Sequence, residues 1–571
     1  MMYIGSVTKG LPMFFRARKR GPHTYLQIVE NNRIDGKVVQ SVHTNLGRLD
    51  HLQNDGALDA LLRSGLKFSK KLAILDAHAK GLATTVSTIK IGPVLILEKL
   101  WRESGIKGLL DSLLSQRRYE FAVERALFVT VMHRLFNPGS DRAAERWMRR
   151  YAITNTEALE LHHFYRAMAW LGEQLPDGQQ QDASPHAPLC VKDVIEEGLF
   201  ALHRDLFSDM SLVFFDTTSL YFEGTGGEDI GRWGHSKDHR PDLRQMVVGV
   251  ILDNRGNPIC CELWPGNIAD VTSLVPVMQR LKRRFGIAEV CIVADRGMIS
   301  DATIADIERE GWLYILGVRM RLVKEVHQDV LCRAGRYQCV YSSRVKSDDP
   351  APLKVKKVCV ENRRYIVCHN EEEARKDRYD REAIITSLRE QLKQGDKSLV
   401  GNKGYRRFLK RSDTHFEIDE DKIVNEERFD GKWVLRTNTE LDAATVALKY
   451  KQLWTVEDIF RTMKSILDTR PIYHHWDETI RGHVFSSFLA LVMRKHMYER
   501  LESKGWKLEW SQVVEDVDSL EEIRLMHHGN HFVLRSDVKG VAGKVFQALG
   551  IALPPVLKQT ESLTTTPKPS S

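Results

Sequence analysis

Eight cysteines are scattered over 571 residues without a single C-x-x-C pair. Cys260 and Cys261 are adjacent within an apolar run, and Cys332 and Cys339 are separated by six residues with no histidine pair nearby. This excludes the usual zinc ligand spacings and a disulfide framework, and it fits a reducing cytoplasm. Long hydrophobic runs are also missing. The longest, residues 484–493, is interrupted by two serines and is too short to span a bilayer. No charged-then-apolar leader is expected, because Arg16, Arg18, Lys19 and Arg20 follow the first apolar residues rather than precede them. Internal repeats are absent. A strong charge of one sign is lacking too: 84 Lys and Arg against 76 Asp and Glu leave +8, too little to name a partner.

The composition is that of an ordinary soluble chain, 42% hydrophobic and 28% charged. Its length calls for about three to five domains. The basic residues are unevenly placed. Residues 1–50 hold eight Lys and Arg against three acids, and Lys403, Arg406, Arg407, Lys410 and Arg411 form a second cluster. Both clusters suit a polyphosphate such as DNA, where released counterions drive binding. Taken alone, each is more simply a solvated surface.

Periodicity divides the chain. Residues 1–85 are expected to be β-rich: Tyr25-Leu26-Gln27-Ile28-Val29-Glu30 alternates, Asp35-Gly36 is a hairpin signal, and residues 37–42 return. Helical spacing takes over in 86–205, which ends in a Gln- and Pro-rich linker; both N-terminal regions are candidates for DNA binding. In 206–320 an apolar strand over 211–215 ends in Asp216, and two more strands follow at 246–252 and 258–263. A helix over 271–285 leads to a strand at 290–294 that ends in Asp295; a short helix capped by Ser300 and a strand at 313–318 complete the series. The order β-β-β-α-β-α-β, then a helix, matches an RNase H-like mixed sheet in a multidomain α/β protein. Residues 321–432 read as a β-rich insertion, and 433–500 return to the core with a long helix starting at Thr439-x-x-Asp442 and running to about residue 468. A helical region and candidate dimer contact is expected over 501–553, and a disordered tail over 554–571.

The two strand-end aspartates should lie close together at the edge where α/β sites are built. In the long helix, Val446, Tyr450, Leu453, Glu457, Phe460, Lys464 and Leu467 recur at helical spacing and share one face, which brings a third carboxylate to that edge. Singly, a strand-end aspartate can be a turn former and a helix glutamate a solvated side chain. Together, Asp216, Asp295 and Glu457 form an oxygen-only set that repels itself without a cation and suits two Mg²⁺ or Mn²⁺ ions. Two such ions perform in-line phosphodiester displacement.

These runs carry a family resemblance. Phe215-Asp216-Thr217-Thr218-Ser219, Ala294-Asp295-Arg296-Gly297-Met298 and the Glu457 helix resemble the three acidic boxes of bacterial insertion-sequence transposases of the DDE type with a Y-R-E-K signature. Tyr450, Glu457 and Lys464 fall on that signature, and Leu453 stands at its arginine. Gly234-His235-Ser236-Lys237-Asp238-His239-Arg240-Pro241-Asp242-Leu243, Trp264-Pro265-Gly266-Asn267 and Asn45-Leu46-Gly47-Arg48-Leu49 add to the likeness. The resemblance implies a cytoplasmic, nucleoid-associated enzyme, homodimeric when it pairs two DNA ends. It would bind terminal inverted repeats, cut them, and join them to target DNA. It further implies that Asp216, Asp295 and Glu457 hold metal and that Tyr450 and Lys464 contact backbone phosphates. Position 453 is then expected to face the DNA, where leucine cannot grip a phosphate.

Among weaker signals, His235-x-x-x-His239 has helical metal-pair spacing, but Gly234 and Pro241 argue for a loop, in which Lys237, Arg240 and Arg244 are candidate DNA contacts. Trp433 could stack on an unpaired base as an insertion tryptophan does in related transposases, although a buried strand residue is the simpler reading. Two other functions share these acids: a two-metal nuclease that does not join strands, and a DNA-binding derivative that has lost catalysis.

Overall fold

The computed structural model describes residues 13–34, 37–66, 69–181, 183, 187–203, 212–287, 290–342, 349–393, 405–411 and 416–560. The chain forms two compact units, one from Met1–Ile89, Glu521–Asp537 and Pro554–Ser571, the other from Lys90–Leu520 and Val538–Leu553. Among the described residues no helix is long and apolar enough to cross a membrane.

The first unit opens with an antiparallel meander, β1 (Phe14–Arg20), β2 (His23–Ile34) and β3 (Lys37–Arg48). Ile34 pairs with Lys37, and the expected turn residues 35 and 36 lie outside the described residues. Three helices follow, α1 (Leu49–Asn54), α2 (Ala57–Leu66) and α3 (Lys70–Ala79), where a continued β-rich segment was expected. The reason is visible in the chain: alternation stops at Arg48, and Leu58, Leu61 and Leu62 take up helical spacing. Strand β4 (Thr84–Lys90) leads on.

The second unit begins with helices α4 (Gly92–Glu103), α5 (Ile106–Leu114), α6 (Val123–Phe136), α7 (Asp141–Met148), α8 (Leu161–Leu171) and α9 (Val191–Leu202). Then come β5 (Leu212–Tyr221), β6 (Gln245–Leu252), β7 (Pro258–Pro265), α10 (Asp270–Phe285), β8 (Cys291–Ala294), α11 (Asp301–Arg309) and β9 (Leu313–Gly317). Ser300 caps α11, its hydroxyl accepting from the Thr303 amide at 3.1 Å. Strands β10 (Gln338–Tyr341), β11 (Leu353–Val360) and β12 (Arg363–His369) precede the helix α12 (Glu371–Lys393). The short pair β13 (Leu409–Arg411) and β14 (Phe416–Ile418), helix α13 (Glu420–Glu427) and strand β15 (Lys432–Thr437) complete this stretch.

Nine of these strands form one mixed sheet, in the order β10-β11-β12-β15-β9-β8-β5-β6-β7. β5, β8 and β9 run parallel, and the other neighbours are antiparallel. β15 zips onto β9, so strands β10–β12 from residues 321–432 extend the central sheet. Both faces of its centre are covered, which is why its strands read as unbroken apolar runs. Alternate residues go to opposite sides: Val213, Phe215, Ile292 and Ala294 pack under α10 and α11, and Phe214 and Val293 join the larger core on the other face.

That larger core is built around α14 (Ala443–Lys451), α15 (Trp454–Arg461) and α16 (Asp477–Glu502). α16 runs against α8 so closely that a Cβ on Gly482 would lie 1.8 Å from the Met168 carbonyl oxygen. The single long helix expected to about residue 468 is broken: α14 ends at Lys451, α15 starts at Trp454, and a π-turn follows at Thr462–Ile466. β5 also continues five residues past Asp216, to Tyr221.

After α17 (Trp510–Asp518) the chain returns to the first unit as β16 (Glu521–His527) and β17 (Asn530–Arg535), where helix was expected. Ile523, Leu525, Phe532 and Leu534 recur at every second position and share one core face, and His528 and Gly529, both at positive φ, make the two-residue turn. α18 (Ala542–Ala548) belongs to the second unit. β18 (Leu557–Thr560) joins the first, in a sheet ordered β18-β17-β16-β4.

Candidate active site

Sheet register brings two of the acids together. Phe214 of β5 pairs with Val293 of β8, and Asp216 and Asp295 each stand two residues farther on. Period-two alternation puts both on the face of Phe214 and Val293, the face covered by α14 and α15. Both aspartates are half-buried. Asp216 Oδ1 accepts from the Thr217 amide at 2.7 Å.

Tyr450 on α14 holds one of the two aspartates. Its hydroxyl donates to Asp295 Oδ1 at 2.8 Å. Burial, the charge and hydrogen bond of Asp295, and the charge of Asp216 together push the phenol well above its ordinary value. The contact depends on a glycine that sequence reasoning missed. A Cβ on Gly317, at the end of β9, would lie 2.4 Å from the Tyr450 hydroxyl oxygen. Gly317→Ala should therefore displace the ring and break its bond to Asp295. It should also lower the melting temperature, and adding Tyr450→Phe, which removes the clashing hydroxyl, should recover that loss. A double variant no more stable than Gly317→Ala would sink this account.

Glu457 lies in the first turn of α15, exposed, beside the buried Val456 and Phe460. α15 packs on β5 and β6, and α14 crosses β8, β9, β11 and β12. The glutamate is thus carried over the strand that holds Asp216. The three acids do not draw into one tight cluster. Among the described residues, only Asp141, His474 and His483 bring three ligand atoms within 4.8 Å of one another.

Other expected contacts are placed as follows. Lys464 is half-buried and its ammonium is engaged with Asp238 Oδ1 at 2.7 Å; desolvation lowers its pKa against the pull of that partner. Arg470 reaches the same oxygen at 3.0 Å, so Asp238, unassigned in the sequence reading, pins the 234–243 loop to the segment after the Glu457 helix. In that loop Lys237 Nζ donates to the Thr217 carbonyl and hydroxyl, both at 2.8 Å, right beside Asp216. Arg240 pairs with Asp242 at 2.8 Å and lies over the Tyr221 ring, and Arg244 donates to the Thr225 carbonyl at 3.2 Å. Lys403 lies outside the described residues, Arg406 falls in the 3-10 turn Tyr405–Phe408, and Arg407 lies over Phe408. Trp433 is half-buried in β15, paired with Cys368 and packed on the large core.

Leu453 corrects an expectation. It is 5% exposed and packs in the large core, so it is an ordinary core position and not a vacant phosphate site. A face drawn for one straight helix does not survive the break after Lys451.

Comparison with known proteins bears on this arrangement. The family described as "Transposase DDE domain" matches residues 207–493, half of the chain. The "IS1634 family transposase, N-terminal domain" matches residues 15–77. No curated protein matches. Among solved structures, a piggyBac transposase synaptic complex with hairpin DNA is similar at 12% identity and a TM-score of 0.34, over 75% of this chain and 79% of that one. A Mos1 transposase paired-end complex with the left transposon end is similar at 12% identity and a TM-score of 0.14, over 35% and 60%. The matched DDE domain spans both sheet aspartates and the Glu457 helix, and the chain belongs to the transposases that carry this domain.

Proposed function

We propose that the chain cuts the ends of its own insertion sequence and joins them to target DNA, with Asp216, Asp295 and Glu457 as the metal-binding acids. The observation that carries this reading is the register of β5 on β8, which sets two carboxylates side by side under the helix bearing the third. The strand order β9-β8-β5-β6-β7, in which β6 alone runs against the other four, supports an RNase H-like core. Oxygen-only donors fit Mg²⁺ or Mn²⁺, and two such ions would activate the attacking oxygen and stabilise the leaving one.

The chain's own residues prepare that chemistry. Tyr450 fixes the orientation of Asp295, and Lys237 ties the basic loop to the strand that carries Asp216. Arg240 and Arg244 on that loop, and the cluster at Lys403, Arg406 and Arg407, would meet the DNA backbone. The basic N-terminal region, followed by the helical block to residue 205, would read the terminal repeats. A homodimer would pair two ends, in a bacterial cytoplasm.

Sequencing the DNA around the reading frame supplies the terminal repeats for the test. Purified protein is incubated with a repeat-bearing duplex and a target plasmid, in Mg²⁺ and in EDTA, and the products are resolved on a denaturing gel. Metal-dependent nicks at the repeat tips and joined products are expected. Cleavage without joining would favour the nuclease reading, and binding without cleavage the non-catalytic one.

A further inference from the structure

Beyond the acids, the segment after the Glu457 helix builds a second feature. It runs beside the end of β5, the Ile472 amide donating to the Tyr221 carbonyl at 3.0 Å. With the turn before α7 and the first turns of α16 it encloses a cavity of about 650 Å³. That volume lies within the range of about 300–1,000 Å³ usual for small-ligand sites.

Its walls are unusual for a protein surface. Tyr473 and Trp476 line it and are each 64% exposed, two large aromatic side chains that the protein leaves largely uncovered. Arg142 supplies positive charge, as does Arg470, which also reaches Asp238 at 3.0 Å. The floor is polar: the Asp141 carboxylate is 13% exposed and lies 3.4 Å from His474 Nε2, which is 3.1 Å from His483 Nδ1.

The three floor residues have the spacing of a metal site, but their hydrogen bonds oppose one. His483 Nε2 faces the Thr469 carbonyl at 3.0 Å and so carries that nitrogen's proton. Its Nδ1 lone pair is taken by the Arg134 guanidinium at 2.9 Å, where a cation would have to sit. A buried arginine in that position repels a metal ion.

Uncovered aromatic side chains, flanking arginines and a buried acceptor carboxylate instead match the chemistry of a nucleotide taken out of a duplex. Stacking holds the base, the carboxylate accepts from its amino or imino N–H, and the arginines take the phosphates. We propose that this cavity binds one unpaired nucleotide of a DNA strand. The proposal rests on the DNA-binding reading above and adds to it a site for unpaired bases outside the acidic centre.

The test uses the full-length protein in EDTA, so that cleavage plays no part. Fluorescence anisotropy compares a labelled single strand of about 20 nucleotides with a blunt duplex of the same sequence. Trp476→Ala combined with Tyr473→Ala should weaken single-strand binding by roughly tenfold or more, with duplex binding changed less than about twofold. Trp476→Phe with Tyr473→Phe, which keeps both stacking faces, should stay near wild type. Equal losses on both probes, or none on the single strand, would overturn the proposal while leaving the DNA-binding reading intact. Full displacement of the strand by a free deoxynucleoside monophosphate would also overturn it, in favour of a free-nucleotide site. A wild-type protein that binds neither probe would instead remove the reading on which the proposal rests.

Discussion

Asp216→Asn, Asp295→Asn and Glu457→Gln should each lower cleavage of end DNA by about a thousandfold, with end binding within about threefold of wild type. Each change keeps the size and hydrogen-bonding shape of the side chain and removes one negative charge from a set proposed to hold two dications. The fold should tolerate all three, because Glu457 is exposed and the aspartates are only half-buried. Asp295→Asn is the most informative. Tyr450 can still donate to the amide oxygen at that position, so the local hydrogen bond survives and only the charge is lost. Cleavage in Mg²⁺ and gel-shift binding in EDTA, measured on the same preparations, separate the two functions. A variant that cuts at a rate near wild type would remove its residue from the site.

Leu453→Arg has the other large expected effect, and it acts on stability. Leu453 sits at the junction of α14 and α15, 5% exposed, in the core that includes Val446, Val456 and Phe460. A guanidinium there would be desolvated without a planned partner, which costs about 3–5 kcal/mol. For a unit of this size that corresponds to a melting temperature lower by about 3–5 °C. Differential scanning calorimetry on the variant measures it, and Leu453→Met, which conserves volume, should melt within about 1 °C of wild type. A Leu453→Arg protein that melts like wild type and holds cut DNA more tightly would restore the vacant phosphate site expected from the sequence.

Much of the central sheet was legible in the chain because its strands are buried on both faces. Strands of that kind appear as short apolar runs, and two of those runs led directly into the aspartates that register brings together. The Ser300 cap and the helix it starts were equally local signals. Local rules failed where the same residues permit more than one period. The 521–535 hairpin alternates only in part, since Met526 and Val533 put apolar residues on its other face, and the helices on either side of it masked the signal. In 49–79 the reverse happened, and a strand-rich start concealed three short helices.

What tertiary structure alone decided is the direction of side chains around the site. Helical spacing put Tyr450, Leu453, Glu457 and Lys464 on one strip, and a straight helix would have kept them there. The break after Lys451 instead sends Tyr450 to Asp295, turns Leu453 into the core and leaves Glu457 at the surface. Lys464 is paired with Asp238, a residue 226 positions earlier in the chain. The need for glycine at 317 is likewise invisible in sequence, since it depends on a tyrosine from a helix that crosses the strand end. Composition and period identify which residues can carry the chemistry, because burial and charge are properties of each residue. Which of them meet is set by packing between elements far apart in the chain, and that packing exists only in the folded protein.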